Sequence, residues 1–187
     1  MNKRILLMHI SEVSGHRKAS MAIEKAIKLI SPDTETKGIN TFNYTNPIWE
    51  RIVNHVYMSV LRNAPEIWDY LYDNPKVLRR VKHIRALIHK ANSEKVHKLF
   101  SEFNPGAVVC TQAYPCGLVA DYKKQFNLDL PLIGVLTDYA PHSYWIYDNV
   151  DYYVVPSKDT GQKLVRGGVL EEKIKVLGIP IDPKFTA

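Results

Sequence analysis

The chain has 187 residues, 45% of them hydrophobic and 24% charged, and its formal net charge at pH 7 is +6. This composition is typical of one compact globular domain with a sizeable core. No apolar run approaches the roughly 18 residues of a membrane-spanning helix, and the apolar start is too short for a signal peptide, so we expect a cytoplasmic chain.

The first predicted elements are a strand, a helix and a second strand. Residues 5–10 form a nearly continuous apolar run, as in a strand that is buried on both faces of a parallel sheet. After a turn over residues 12–15, apolar residues recur at the spacing of an amphipathic helix that ends at residues 31–32. The second strand is predicted over residues 34–39.

The remaining chain continues with helices and strands. Two long helices are predicted over about residues 48–61 and 77–103, with an aromatic connector between them. Further strands are predicted over residues 107–110, 131–136, 152–155 and 173–177. Further helices are predicted over residues 117–126 and from the Ser157 cap to about residue 166. This order predicts an α/β fold with a Rossmann-like parallel sheet and helices on both faces.

Two cysteines, Cys110 and Cys116, fall in a predicted strand and in the loop predicted after it. Their spacing fits no paired metal-ligand motif. We therefore expect reduced, packed thiols and no metal site.

The turn after the first strand is the first candidate site. Ligands of open α/β sheets bind beyond the carboxyl ends of the strands, and Ser14, Gly15 and His16 occupy such a place. Gly15 lets the backbone approach a ligand, and the dipole of the following helix disfavours the charged form of His16. A neutral imidazole there could act as a general base. The motif alone also fits a solvent-facing histidine beside a turn glycine.

A second candidate lies just after the strand predicted over residues 131–136. Asp138, His142 and Trp145 are close enough in sequence to line one wall of a cleft, where Asp138 could orient a hydroxyl or a histidine. The spacing fits equally well a turn that Thr137 and Asp138 cap, with Trp145 as a core residue.

A basic segment follows an aromatic one. Residues 76–98 carry eight Lys or Arg against one acid, a segment charge of +7 in a chain of +6. Such a segment predicts one face that meets an anionic bilayer, and the candidate membrane-binding residues are Trp49, Trp68, Arg79, Arg80, Lys82 and Arg85. The alternative is a core stripe with a solvated charged face. We expect no nucleic-acid partner, because the aromatic residues precede the basic run and no zinc or RNA-recognition motif is present.

Five blocks of the chain, in order, resemble the monogalactosyldiacylglycerol synthase and processive diacylglycerol glucosyltransferase family. They carry that family's Gly-His turn with its Ala-rich helix, its strand ending in Thr, its Thr-Asp-Tyr stretch, its Val-Pro-Ser block and its Gly-Ile-Pro-Ile block, at residues 5–26, 103–111, 130–145, 150–157 and 175–181. The sequence departs from the family at Ser14, where a glycine or another small turn residue is usual.

The resemblance implies the N-terminal, acceptor-side half of a GT-B glycosyltransferase of the family 28 type. Such an enzyme transfers a hexose from a UDP-sugar to diacylglycerol or a related membrane lipid, without a cofactor or a metal. It implies that His16 is the base or a diphosphate contact, with help from Asp138. Ser14, Gly15, His142 and Trp145 would belong to the acceptor and diphosphate loop.

The resemblance also leads to expectations about organisation. We expect one acceptor-side domain over residues 1–187, with a helical insert at about 46–102 that faces the inner side of the membrane. The printed sequence stops where the interdomain linker is expected, so the donor-binding domain would be absent and the chain alone inactive. Two alternatives are a non-catalytic membrane-recruiting subunit that needs a separate donor-binding chain, and an inactive remnant.

Overall fold

The computed structural model describes residues 3–11, 14–45, 86–139 and 143–185. Within them, one parallel sheet has the order β2-β1-β3-β4-β5-β6. The strands are β1 Arg4–His9, β2 Glu35–Asn40, β3 Ala107–Cys110, β4 Leu132–Val135, β5 Tyr152–Val155 and β6 Ile174–Val176. All carboxyl ends of the strands therefore lie along the same edge of the sheet.

Helices connect these parallel strands. They are α1 Gly15–Ile30, α2 Thr41–Thr45, α3 Ser93–Phe103, α4 Ala113–Phe126 and α5 Lys158–Arg166, with a further helical segment at residues 86–91 before α3. Short 3₁₀ turns lie at Ser143–Trp145, Glu171–Lys173 and Pro183–Phe185. The chain moves in one direction along the sheet through α1 and in the other through α4. Right-handed crossovers therefore place these two helices on opposite faces, as the sequence pattern predicted.

The core lies mainly between the sheet and the α3–α4 layer. Leu6 and Met8 of β1 pack into it together with residues of both helices, while Leu7 is equally buried. Burial on both faces explains the continuous apolar run of β1. Asn104 and Asn127 end α3 and α4 in the left-handed conformation, which Asn tolerates better than most residues.

The fold class and the six predicted strands are confirmed, with strand ends that differ by at most one residue. The helix predicted over residues 77–103 is interrupted at Asn92 in its described part, where the side-chain amide donates to the Ile88 carbonyl at 2.8 Å. Such a side-chain bond competes with the backbone bonds of a helix.

The helix predicted over residues 117–126 begins earlier in the structure, at Ala113. The side chain of Gln112 accepts a hydrogen bond from the Tyr114 backbone at 2.6 Å, and α4 begins at Ala113. Pro115 fits the first turn because the backbone N–H it lacks has no helical partner there. Cys116 therefore lies in a helix and not in a loop. Cys110 and Cys116 are both free thiols with 0% exposure.

Residues 46–85 lie outside the described part of the chain. The predicted helix at 48–61 falls there, and so does the predicted membrane-facing insert, apart from its helical end at residues 86–102. The same is true of all six candidate membrane-binding residues: Trp49, Trp68, Arg79, Arg80, Lys82 and Arg85. In the described ranges, no helix has both the length and the apolar character needed to cross a bilayer.

The two described ends of this stretch meet at Tyr114. Before it, the Phe42 ring stacks on the Tyr114 ring with centroids 4.7 Å apart, and after it the His89 ring lies 5.7 Å from Tyr114. Lys95 of α3 also donates a hydrogen bond to the Thr45 carbonyl. The chain thus leaves and returns at one place on the α4 side of the molecule.

Candidate active site

The candidate site lies where the order of the sheet reverses. β1 has β2 on one side and β3 on the other, so the connections that follow β1 and β3 diverge beyond the carboxyl edge. Such a switch point forms a crevice in open α/β sheets. His16 follows β1, Thr111 follows β3 and Thr137 follows β4, and the structure brings these three residues together.

The N-terminus of α1 is capped by a predicted site residue. The Ser14 hydroxyl accepts a hydrogen bond from the Arg17 backbone at 3.2 Å and donates one to the Ile10 carbonyl at 3.1 Å. The first turn of α1 contains no acidic residue, so the positive end of the helix dipole is not neutralised from within the turn. Gly15 is exposed, and a Cβ added there would meet open space. A ligand therefore has room to approach the backbone at this position.

His16 is held at two points. Its ring atom Nδ1 lies 2.7 Å from the Thr137 hydroxyl, and its backbone carbonyl accepts a hydrogen bond from the Thr111 hydroxyl at 2.9 Å. Thr111 has 0% exposure and its own backbone N–H donates to the Met8 carbonyl at 3.0 Å. The other ring nitrogen, Nε2, makes no hydrogen bond with the described residues. It is the ring atom left for a ligand.

Asp138 and Tyr139 form the exposed part of the same edge. Asp138 is exposed, and its carboxylate makes no hydrogen bond within the described residues. The sequence suggested that Asp138 could orient a histidine, but the group at His16 Nδ1 is the neighbouring Thr137. Tyr139 is 66% exposed, and its backbone carbonyl accepts a bond from Thr160 of α5 at 3.2 Å. The loop after β4 is thus fixed to α1 on one side and to α5 on the other.

Trp145 does not line this edge. Its side chain is 1% exposed and lies in the core, and its backbone carbonyl accepts a hydrogen bond from the Tyr153 hydroxyl at 2.7 Å. The Tyr147 backbone donates to the same hydroxyl at 3.1 Å, and burial raises the pKa of Tyr153 well above its usual range. The Tyr153 hydroxyl therefore fixes the backbone at Trp145 and Tyr147 from the core side. His142 itself lies outside the described residues.

Thr111 and Thr137 were not singled out as site residues by the sequence. Thr137 was noted as a turn cap and as part of the Thr-Asp-Tyr stretch after a strand, without a role in the site, and Thr111 only as the end of a strand block. The signal that could have found them is positional: each is a threonine within one or two residues of the carboxyl end of a buried strand. Within the ranges that the structure describes, no group of three His, Cys, Asp or Glu side chains could hold a metal ion.

A second histidine contact, between His89 and Asp121, lies away from the edge, between the 86–91 segment and α4. His89 Nδ1 is 2.6 Å from the Asp121 carboxylate, and the His89 side chain is 1% exposed whereas that of Asp121 is 40% exposed. His89 Nε2 is buried and has no hydrogen-bond partner among the residues that the structure describes. A cavity of about 420 Å³ opens beside the pair, with Lys90 and Gln125 in its lining.

The fold and the edge define the class of domain. A six-stranded parallel sheet with helices, open at a switch point, is a Rossmann-like domain of the kind that GT-B glycosyltransferases contain. The solved structure of the apo form of the lipopolysaccharide outer core galactosyltransferase WaaB superposes with a TM-score of 0.56, at 12% identity. The match covers 94% of this chain and 45% of that one, and it shows the fold alone.

The chain belongs to the monogalactosyldiacylglycerol synthase family, because that family's profile, described as "Monogalactosyldiacylglycerol (MGDG) synthase", matches residues 16–181. Curated relatives named processive diacylglycerol beta-glucosyltransferase are 24% identical in Bacillus pumilus and 26% identical in Staphylococcus aureus strain MRSA252. These alignments cover 100% and 98% of this chain but 48% and 46% of the relatives. The chain thus spans about half the length of the curated relatives it matches, their N-terminal half.

Proposed function

We propose that this chain is the acceptor-side half of a glycosyltransferase that moves a hexose from a UDP-sugar to diacylglycerol or a related membrane lipid. His16 is the general base in this proposal. The observation that carries it is the position of His16 at the switch point, with Nδ1 held by Thr137 and with Nε2 making no hydrogen bond to the part of the chain that the structure describes. The family and the names of its curated relatives support a hexose as the transferred group and diacylglycerol as the lipid acceptor.

The proposed reaction is an inverting transfer. Nε2 of His16 takes the proton of the lipid hydroxyl while the hydroxyl oxygen attacks the anomeric carbon of the sugar. The bond from that carbon to the diphosphate oxygen breaks, and the nucleoside diphosphate leaves with the bonding electrons. Asp138, exposed on the same edge, orients the lipid hydroxyl. The α1 N-terminus, shaped by Ser14 and Gly15, stabilises negative charge on the departing diphosphate.

The loop after β4 completes the proposed acceptor site. His142 is proposed to contact the acceptor or the diphosphate, and Trp145 supports the loop from within the core. In this proposal the donor is bound by a second domain or a separate subunit, and the reaction takes place between the two.

The acceptor lies in a bilayer, so the protein is proposed to act as a peripheral protein on the inner face of an anionic membrane. The charge of residues 76–98 supports this, because basic residues near an anionic surface contribute on the order of 1 kcal/mol each. Flotation with vesicles containing phosphatidylglycerol is expected to carry the chain upward, and vesicles of phosphatidylcholine alone are expected to leave it behind. Equal behaviour in both arms would remove the argument from charge.

The decisive experiment replaces His16 in a polypeptide that contains this chain together with a donor-binding half. His16→Ala is expected to lower kcat by about 10²- to 10⁴-fold, the usual contribution of general acid–base catalysis. His97→Ala, which removes a histidine from the α3–α4 contact, is the matched control and is expected to retain activity. Transfer that survives His16→Ala would exclude His16 as the base.

A further inference from the structure

The Thr137 hydroxyl contacts the His16 ring, and the reaction proposed above determines which of the two groups donates the hydrogen bond. We infer that Thr137 is a positioning residue: its hydroxyl oxygen accepts a hydrogen bond from Nδ1–H of His16, which leaves the lone pair on Nε2. The inference rests on the proposed role of His16 as a base. In this inference, Thr137 determines which ring nitrogen of His16 can take a proton.

The contact joins two parts of the chain that are fixed independently. His16 and Thr137 are 121 residues apart, and the ring-to-hydroxyl distance is 2.7 Å. On one side, Thr111 holds the His16 carbonyl, and on the other the Leu136 backbone donates to the Val154 carbonyl at 2.9 Å. Both partners are therefore positioned by the sheet, and a group held by rigid elements keeps its geometry better than one on a free loop.

The chemistry of the base sets the direction of the bond. A neutral imidazole carries one proton, so Nε2 has a lone pair only when Nδ1 carries the hydrogen. If the Thr137 hydroxyl instead donated to Nδ1, the ring proton would already be on Nε2 and the ring could take no proton there. The proposed reaction therefore needs Thr137 as the acceptor.

A hydroxyl partner also suits both states of the ring. When Nε2 takes a proton, both ring nitrogens become donors, and the Thr137 oxygen goes on accepting from Nδ1–H. A carboxylate in the same place would favour the charged ring before the reaction. The neutral hydroxyl orients the ring without adding that charge, so the base stays free to take up a proton.

The first test measures the position of the proton directly. In the ¹⁵N-labelled chain, long-range ¹H–¹⁵N correlation spectra report which ring nitrogen of each histidine is protonated. Near neutral pH, His16 is expected to carry its proton on Nδ1. Thr137→Val, which has nearly the same shape without the hydroxyl, is expected to shift the population towards Nε2–H. Thr137→Ser is expected to restore the original signal. Amide spectra check that each variant is folded.

A ring that is protonated on Nε2 in the unchanged protein would overturn the inference, and so would a ring signal that Thr137→Val leaves unaltered.

The second test uses activity in the polypeptide that includes a donor-binding half. Thr137→Val is expected to lower kcat about 10- to 100-fold, as other groups that orient a functional histidine do, with little change in KM for the lipid. Thr137→Ser is expected to recover most of the rate, and combining Thr137→Val with His16→Ala should cost no more than His16→Ala alone.

The two proposals fail in different ways. Activity that survives His16→Ala removes the proposed function. A rate that depends on His16 but is the same in Thr137→Val removes only the role of Thr137.

Discussion

Two histidines of this chain make nearly identical contacts through Nδ1 but in opposite surroundings. His16 lies at the open edge of the sheet, 2.7 Å from the neutral hydroxyl of Thr137. His89 lies between two helices, 2.6 Å from the Asp121 carboxylate, with its side chain 1% exposed. The difference lies in what the partner and the surroundings permit. At the edge, Nε2 of His16 makes no hydrogen bond with the described residues, whereas Nε2 of His89 is buried between the helices.

The comparison separates a chemical role from a structural one. The contact between the buried His89 ring and the partly exposed Asp121 carboxylate fixes the 86–91 segment against α4, and the Tyr114 ring packs beside it. Removing the Asp121 carboxylate leaves the His89 ring with an unmet hydrogen bond in a buried place. At the edge, water can replace a lost partner. We therefore expect substitutions at His89 and Asp121 to change stability, and those at His16 and Thr137 to change chemistry.

The largest expected difference between the His89 contact and the His16 contact is in the free energy of unfolding. Asp121→Ala is expected to cost about 1–3 kcal/mol, because both nitrogens of His89 would then be buried without partners. Thr137→Val is expected to cost about 0.5–1 kcal/mol. Urea unfolding followed by circular dichroism measures both. Equal losses of unfolding free energy in the two variants would show that the two contacts contribute equally to stability.

The next effect uses the thiols as reporters of local opening. Cys116 lies in α4 with Asp121, and both cysteines have 0% exposure, while burial raises the pKa of the Cys110 thiol well above its usual range. Neither cysteine is expected to react with a thiol reagent at pH 8 in the folded protein.

Asp121→Ala should speed this labelling on the order of tenfold, through opening of the α4 region. Thr137→Val should leave the labelling rate nearly unchanged, and a reversed order of the two rates would contradict the assignment of roles.

The smallest effect concerns alkaline pH. Burial raises the pKa of the Tyr114 hydroxyl, and a hydrogen bond with Thr45 offsets part of this shift. A raised pKa in the folded state means that the stabilising contribution is complete below about pH 10, the pKa of an unfolded tyrosine, and is lost as pH rises through the folded value.

Stability measured from pH 9 upward is therefore expected to fall less steeply in Tyr114→Phe than in the unchanged chain. The edge variant Thr137→Val should keep the original slope. An unchanged slope in Tyr114→Phe would mean that Tyr114 does not titrate with unfolding.

Local patterns predicted most of the fold but little of the site. The apolar run of β1 and the Ser157 cap of α5 depend on neighbouring residues, so the sequence shows them directly. The start of α4 was missed because the cap is formed by Gln112, which is not a common capping residue.

The contacts of the site depend on the sheet and not on local sequence. His16 was predicted from its position after β1, yet its partner Thr137 is 121 residues away and is brought close by the order of β1, β3 and β4. Asp138 was the more obvious candidate because it is charged. The path of the chain after β4 decides whether Thr137 or Asp138 faces His16. The sequence pattern does not show this path.

The convergence on Tyr114 has a consequence for how this protein can diversify. The chain on either side of residues 46–85 is tied to the body, by Phe42 before them and by His89 after them. Because the ends are held in any case, lengthening the connection costs little entropy, about 0.6 kcal/mol per doubling. We therefore expect that the sequence between these two anchored ends can change in length while the contacts of Phe42 and His89 with Tyr114 are kept.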